Sequence, residues 1–142
     1  QRQMCIRDSG AVWNFPAMKK GTFTVSLRIP EGSHSVSLLL NDRWMNPSDT
    51  VARYQSMYEL PLTRKQLGVK DDRWHEVSLE WDLLQKRLQA RVWVDGRLRP
   101  LRLPLKNKSQ NGISYVHFIA PPAEANPGVY LEWVRAEADG AI

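Results

Sequence analysis

Cysteine is nearly absent. Cys5 stands alone in a chain of 142 residues, so no disulfide can close within the sequence and no thiolate metal cluster can assemble from it. Long apolar runs are missing too. None exceeds three residues, as in Leu38-Leu39-Leu40, against the roughly 20 that carry a helix across a bilayer. Gln1 to Gly10 has no hydrophobic centre followed by a small-residue cleavage site, so any export signal is expected upstream of this sequence. The three histidines, His34, His75 and His117, lie far apart with neither H-x-x-H nor H-E-x-x-H spacing, which leaves no helical zinc motif. Neither a glycine-rich phosphate loop nor a G-x-S-x-G nucleophile elbow occurs. Residue chemistry therefore demands no single reaction, and a non-catalytic module is expected rather than an enzyme.

What is present is a basic, strand-patterned chain. Lys and Arg number 20 against 15 Asp and Glu, a net charge of +5. Such an excess favours encounters with polyanions. The basic residues are spread from Lys19 to Arg135 among acidic ones, however, and only Arg97, Arg99 and Arg102 form a dense group. They read as a solvated strand face, and neither nucleic acid nor a membrane is an expected partner. The length suits one domain, which at this size buries roughly 70% of the unfolded chain's surface without staples.

Apolar Phe23, Val25, Leu27 and Ile29 alternate with Thr22, Thr24, Ser26 and Arg28, the period of a strand with one dry face. Pro30-Glu31-Gly32-Ser33 then supplies a turn, and Val36, Leu38 and Leu40 resume the alternation, so a hairpin is expected between the two segments. Asn41 to Asp49 is polar and turn-forming, and Val51 to Leu62 reads as loop followed by a short strand. Thr63 can cap one helical turn that Gly68 stops. From Trp74 to Gly96 a second hairpin is written: His75, Val77, Leu79 and Trp81 oppose Glu76, Ser78, Glu80 and Asp82, and Leu88, Ala90, Val92 and Val94 oppose Gln89, Arg91, Trp93 and Asp95. Asp95-Gly96 tolerates positive φ and returns the chain as a third strand, Arg97 to Leu105, which Pro100 and Pro104 push toward an edge. Ile113 to Ala120 is apolar at both parities, as a central strand would be. Pro121 to Gly128 is a proline-rich loop, and Val129 to Ala136 is the last strand. Seven or eight strands and almost no helix predict an all-β, antiparallel two-sheet sandwich over residues 10–138, with 139–142 a tail. Trp13, Trp74, Trp81 and Trp133 are expected in its core.

Gln1 to Ser9, QRQMCIRDS, fits neither period and is set apart as a non-native or disordered leader. The string resembles one that recurs at the start of translated shotgun metagenome sequences, where adapter is read as gene. On that resemblance the chain is expected to be the carboxyl-terminal piece of a larger protein.

Trp74-His75-Glu76-Val77, then Trp81-Asp82, then Val92-Trp93-Val94-Asp95-Gly96-Arg97 resemble laminin G-like domains of the concanavalin A-like lectin and glucanase superfamily. Val12-Trp13-Asn14-Phe15-Pro16 and Ile113 to Phe118 are similar to segments of sandwich domains appended to large bacterial secreted proteins, among them sialidase-like enzymes. The resemblance implies a jelly-roll fold, a secreted or cell-surface setting, a glycan ligand, and an upstream catalytic domain in the same polypeptide as partner. It does not fix function, because this fold hosts lectins, hydrolases, lyases and inert spacers.

The E-x-D-x-x-E motif that glucanases of this superfamily use as nucleophile and acid is absent. Glu76, Glu80 and Asp82 share a strand face but read as solvated. Arg91, Gln89, His117 and Tyr115 match the residue types of alginate-lyase-like sandwiches without their motifs. Sugar binding needs an exposed ring to stack on a pyranose and planar polar groups for its hydroxyls. Trp93, with Arg91 and Gln89 on the same strand face, is the first candidate; Trp44 beside Arg43 is the second. The alternative for Trp93 is packing against a partner domain. Asn41, Asp42, Asn46 and Asp49 are oxygen donors of the kind calcium takes, so Asp42, Asn46 and Asp49 are candidate ligands for that one cofactor; the alternative is a turn whose side chains cap their own backbone.

Overall fold

The computed structural model describes residues 4–7, 10–49, 51–86, 88–120 and 126–138. The strands are β1 (Met4–Ile6), β2 (Ala11–Met18), β3 (Lys20–Arg28), β4 (Ser37–Asn41), β5 (Tyr58–Pro61), β6 (His75–Asp82), β7 (Gln89–Val94), β8 (Arg97–Pro104), β9 (Ile113–Ile119) and β10 (Val129–Ala138); the helices are α1 (Val51–Gln55) and α2 (Arg64–Leu67). They build two sheets, a six-stranded one in the order β1-β10-β3-β6-β7-β8 and a four-stranded one in the order β2-β9-β4-β5. Every pairing is antiparallel. The expected β-sandwich is therefore the observed one. Among the described residues, no helix is long and apolar enough to cross a membrane. The tail 139–142 and residues 121–125 of the proline-rich loop lie outside the described residues.

The core sits between the sheets because each strand turns one parity inward. Phe23, Val25 and Leu27 of β3, Val77, Leu79 and Trp81 of β6, and Ala90, Val92 and Val94 of β7 meet Leu38, Leu40, Val116 and Phe118 from the other sheet. At β9 both parities are buried, as its composition implies. Val116 and Phe118 enter this core, whereas Ile119 joins Leu39, Met45 and Ala52 in a second cluster on the sheet's other side. Thr63 Oγ1 accepts from the Gln66 N–H at 3.1 Å, and Gly68 ends α2 in the left-handed region. β8, with its two prolines, is an edge strand of the six-stranded sheet, where a missing N–H costs no ladder bond.

The structure corrects the sequence reading in two places. β3 and β4 do not form a hairpin, since β3 pairs with β10 and β6 while β4 pairs with β5 and β9. The turn at Pro30 to Ser33 carries the chain from one sheet to the other. There β4 is buried along its whole length, with Leu38 and Leu40 in the core between the sheets and Leu39 in the second cluster.

The second correction concerns tryptophan. Trp81 is fully buried and donates its Nε1–H to the Met18 carbonyl at 3.0 Å, and Trp13 packs edge-on against Phe118. Trp74 and Trp133 stay partly exposed, under the guanidinium groups of Arg28 and Arg135 respectively. For Trp133 the cause is a register shift between Leu131 and Trp133, which places Trp133 opposite Ser26 and Val134 opposite Val25. One extra residue in the strand flips the parity of all that follow.

Part of the leader forms a strand. Met4–Ile6 pairs with Val129 to Leu131 at the sheet edge, and Ile6 is buried. Three residues are too few to show a period, so only their partner strand reveals them as β-structure. Residues 1–3 and 8–9 lie outside the described residues.

Candidate functional site

Because β3, β6, β7 and β10 turn their apolar parity inward, their polar parity tiles the outer face of the six-stranded sheet in rows set by register. One row runs Arg135, Thr24, Ser78, Trp93; the next runs Glu137, Thr22, Glu80, Arg91. Above these rows lies an open groove of about 380 Å³, lined by Thr22, Thr24, Glu76, Ser78, Glu80, Trp93, Arg135 and Glu137 with Gly96 and Ala138 at its ends.

The floor is held together by its own polar contacts. Thr24 Oγ1 and Ser78 Oγ are 2.7 Å apart. Half-buried Trp93 donates its Nε1–H to Glu80 Oε1 at 3.4 Å, and Arg91 approaches the same oxygen at 3.8 Å. Arg135 pairs with Glu137 at 2.5 Å and lies over the Trp133 ring. The indole of Trp93 is thereby fixed at its polar edge beside a groove rich in hydroxyls and carboxylates. Asp95 and Gly96, both at positive φ, make the tight turn that sets the groove's end at Gly96.

The sequence candidates divide. Trp93 lines the groove and Arg91 flanks it through Glu80. Gln89 and Arg91 line a neighbouring hollow of about 160 Å³ with Lys20, Glu80, Asp82 and Gln85. Trp44, 59% exposed, and Arg43 follow β4 in the other sheet and are not part of this groove. Arg43 is turned onto Asp42, with Nε 3.0 Å from Oδ1. Burial pushes the Asp42 carboxyl up, but hydrogen bonds from Arg43 and Ser109 outweigh it and hold the group below the usual carboxylate range.

The residues proposed for calcium have other partners. Asn46 Oδ1 accepts from the Ser48 N–H at 3.0 Å, and Asp49 Oδ1 from the Val51 N–H at 2.9 Å, where it caps α1. Asn41 is buried and donates Nδ2 to His117 Nδ1 at 2.7 Å. Among the described residues, no group of three or more His, Cys, Asp or Glu is placed to hold a metal ion.

The lyase-like set does not assemble. Arg91 and Gln89 belong to β7 in one sheet, Tyr115 and His117 to β9 in the other, and His117 is fully buried with Nε2 2.9 Å from the Met45 carbonyl. Of the carboxylates on β6, Glu76 and Glu80 line the groove and Asp82 the hollow beside it.

Sequence reasoning missed Arg135 and Glu137, whose parity the shift in β10 reverses. Thr22 and Thr24 were legible as the polar parity of their strand, but nothing in their own segment told that β10 and β6 would flank them and leave Thr24 buried.

No protein-family model and no curated protein matches the sequence. Solved structures do share the fold. A sialidase superposes with a TM-score of 0.62 at 13% identity over 97% of this chain, which spans only 15% of that longer protein. A tetrameric galectin from the ball sponge Cinachyrella sp. superposes at 0.56 with 13% identity, covering 90% of this chain and 99% of the galectin. A fructofuranosidase from Schwanniomyces occidentalis, in complex with fructose, reaches 0.56 at 10% identity over 96% of this chain and 32% of its own. The chain thus has a jelly-roll sandwich architecture found both as a whole small protein and as part of large ones.

Proposed function

We propose that this chain is a non-catalytic carbohydrate-binding module whose ligand lies in the outer groove of the six-stranded sheet, against Trp93. One observation carries the reading: a half-buried indole, tied by its N–H to Glu80, borders an open groove whose other walls are mostly hydroxyls and carboxylates. An aromatic face with planar acceptors and hydroxyls around it is what a pyranose needs. That proteins of this fold are named sialidases, galectins and fructofuranosidases supports a sugar as the ligand class. A secreted or cell-surface setting and an absence of catalysis belong to the same proposal. Binding to a glycan array, lost in Trp93→Ala while the thermal midpoint is kept, is the expected result. Retained binding in that variant, or none in the parent, defeats it.

A second reading is a structural domain packed on a catalytic neighbour in the same polypeptide. The small share of the sialidase and fructofuranosidase chains that this fold occupies favours it. In that case the groove around Trp93 is a domain interface, and the isolated chain binds no glycan.

A further inference from the structure

We infer that the groove selects uncharged glycans and rejects sialylated, uronate-containing or sulfated ones; this rests on the glycan-binding reading above and adds the ligand class. The chain carries a net charge of +5, which by itself invites a polyanion. The groove has the opposite sign. Among the described residues its walls hold three carboxylates, Glu76, Glu80 and Glu137, against one guanidinium, Arg135. That guanidinium is already committed to Glu137 at 2.5 Å. Arg91 offsets Glu80 only from 3.8 Å, and Glu76 stands in register with Ser26, which brings it no cation.

Hydrogen-bond polarity agrees with the charge. Ionised carboxylates only accept, and the Thr24 and Ser78 hydroxyls already share one bond at 2.7 Å. The groove therefore has acceptors in excess and suits a ligand that can donate, and each hydroxyl of a neutral pyranose can donate as well as accept. A sialic acid carboxylate or a sulfate brings acceptors alone, and brings them into a field of its own sign. A basic group lies elsewhere: Lys70, Arg97 and Arg99 line a separate cavity of about 480 Å³ with Asp71, His75 and Asp95.

The experiment is an array of neutral oligosaccharides (galactosides, glucosides, mannosides and N-acetylhexosaminides) with sialylated and sulfated counterparts of each, followed by calorimetry on the best pairs with the full chain. Neutral parents should bind at least about ten-fold tighter than their anionic counterparts, with the gap narrowing as salt rises. The double variant Glu76→Gln, Glu137→Gln should narrow it too, its thermal midpoint confirming that it folds. Anionic glycans bound as tightly as their neutral parents, in a manner lost in Trp93→Ala, would overturn the selectivity and leave the glycan reading standing. Binding to neither set overturns both.

Discussion

His75 and Asp95 tie the start of β6 to the turn between β7 and β8: imidazole Nδ1 lies 2.6 Å from Asp95 Oδ2, while Asp95 Oδ1 accepts from the Glu76 N–H at 2.9 Å. On its other side the ring reaches Asp71 Oδ1 with Nε2 at 2.7 Å. With both carboxylates ionised, the ring satisfies both only by donating from each nitrogen, which is the imidazolium form. Burial pushes the His75 pKa down, but the hydrogen bonds and charges of Asp95 and Asp71 outweigh it and raise it above its ordinary 6.5.

A group whose folded pKa is raised contributes stability that is complete below its unfolded value and lost as pH climbs through the folded one. The clasp should therefore weaken on the alkaline side of neutrality. Thermal midpoints measured from pH 6 to pH 9 are expected to fall, and to fall less in His75→Gln. Equal slopes in the two proteins would refute the clasp.

His117 predicts the opposite limb. It is buried between Asn41 and Met45, and desolvation, only partly offset by the Met45 carbonyl, lowers its pKa below 6.5. A depressed base contributes stability above its unfolded pKa and loses it as pH falls toward the folded one. Stability should decline below about pH 6, and imidazole resonances followed by NMR should show His117 resisting protonation after His75 is charged.

The two tryptophans on neighbouring strands should separate fold from site. Trp81→Ala empties a fully buried position and removes the indole N–H bond to the Met18 carbonyl, at a cost of roughly 3–5 kcal/mol in chemical denaturation. Trp93→Ala removes a half-buried ring from the outer face and should cost less than about 1.5 kcal/mol while removing glycan binding.

Deleting residues 1–9 tests whether β1 belongs to the domain. Loss of buried Ile6 should destabilise by about 2 kcal/mol. Gly128→Ala should act through the same edge, because Gly128 sits at φ +77 and a methyl there collides with the Ile6 carbonyl oxygen; at least about 2 kcal/mol is expected. A truncated chain as stable as the parent would mark the leader as dispensable.

Where the period of two ran unbroken, local sequence was enough. The faces of β6 and β7, the Asp95-Gly96 turn, the Thr63 to Gly68 helical turn and the edge position of β8 were all legible, because alternation, positive φ, capping and a missing N–H are properties of a few adjacent residues. Trp93 was legible as an outward ring for the same reason. Partners distant in sequence were not. β4 crosses to the other sheet and is buried on both sides, β1 is visible only through β10, and the shift after Leu131 turns Trp133, Arg135 and Glu137 out against their apparent period. The sequence by itself determined an antiparallel sandwich with an indole on its outer surface. Only the tertiary structure decided that β3 and β10 lie beside the β6–β7 hairpin, so that Thr24, Ser78, Glu80 and Arg135 line one groove with that indole, since strand order depends on contacts between segments far apart in the chain.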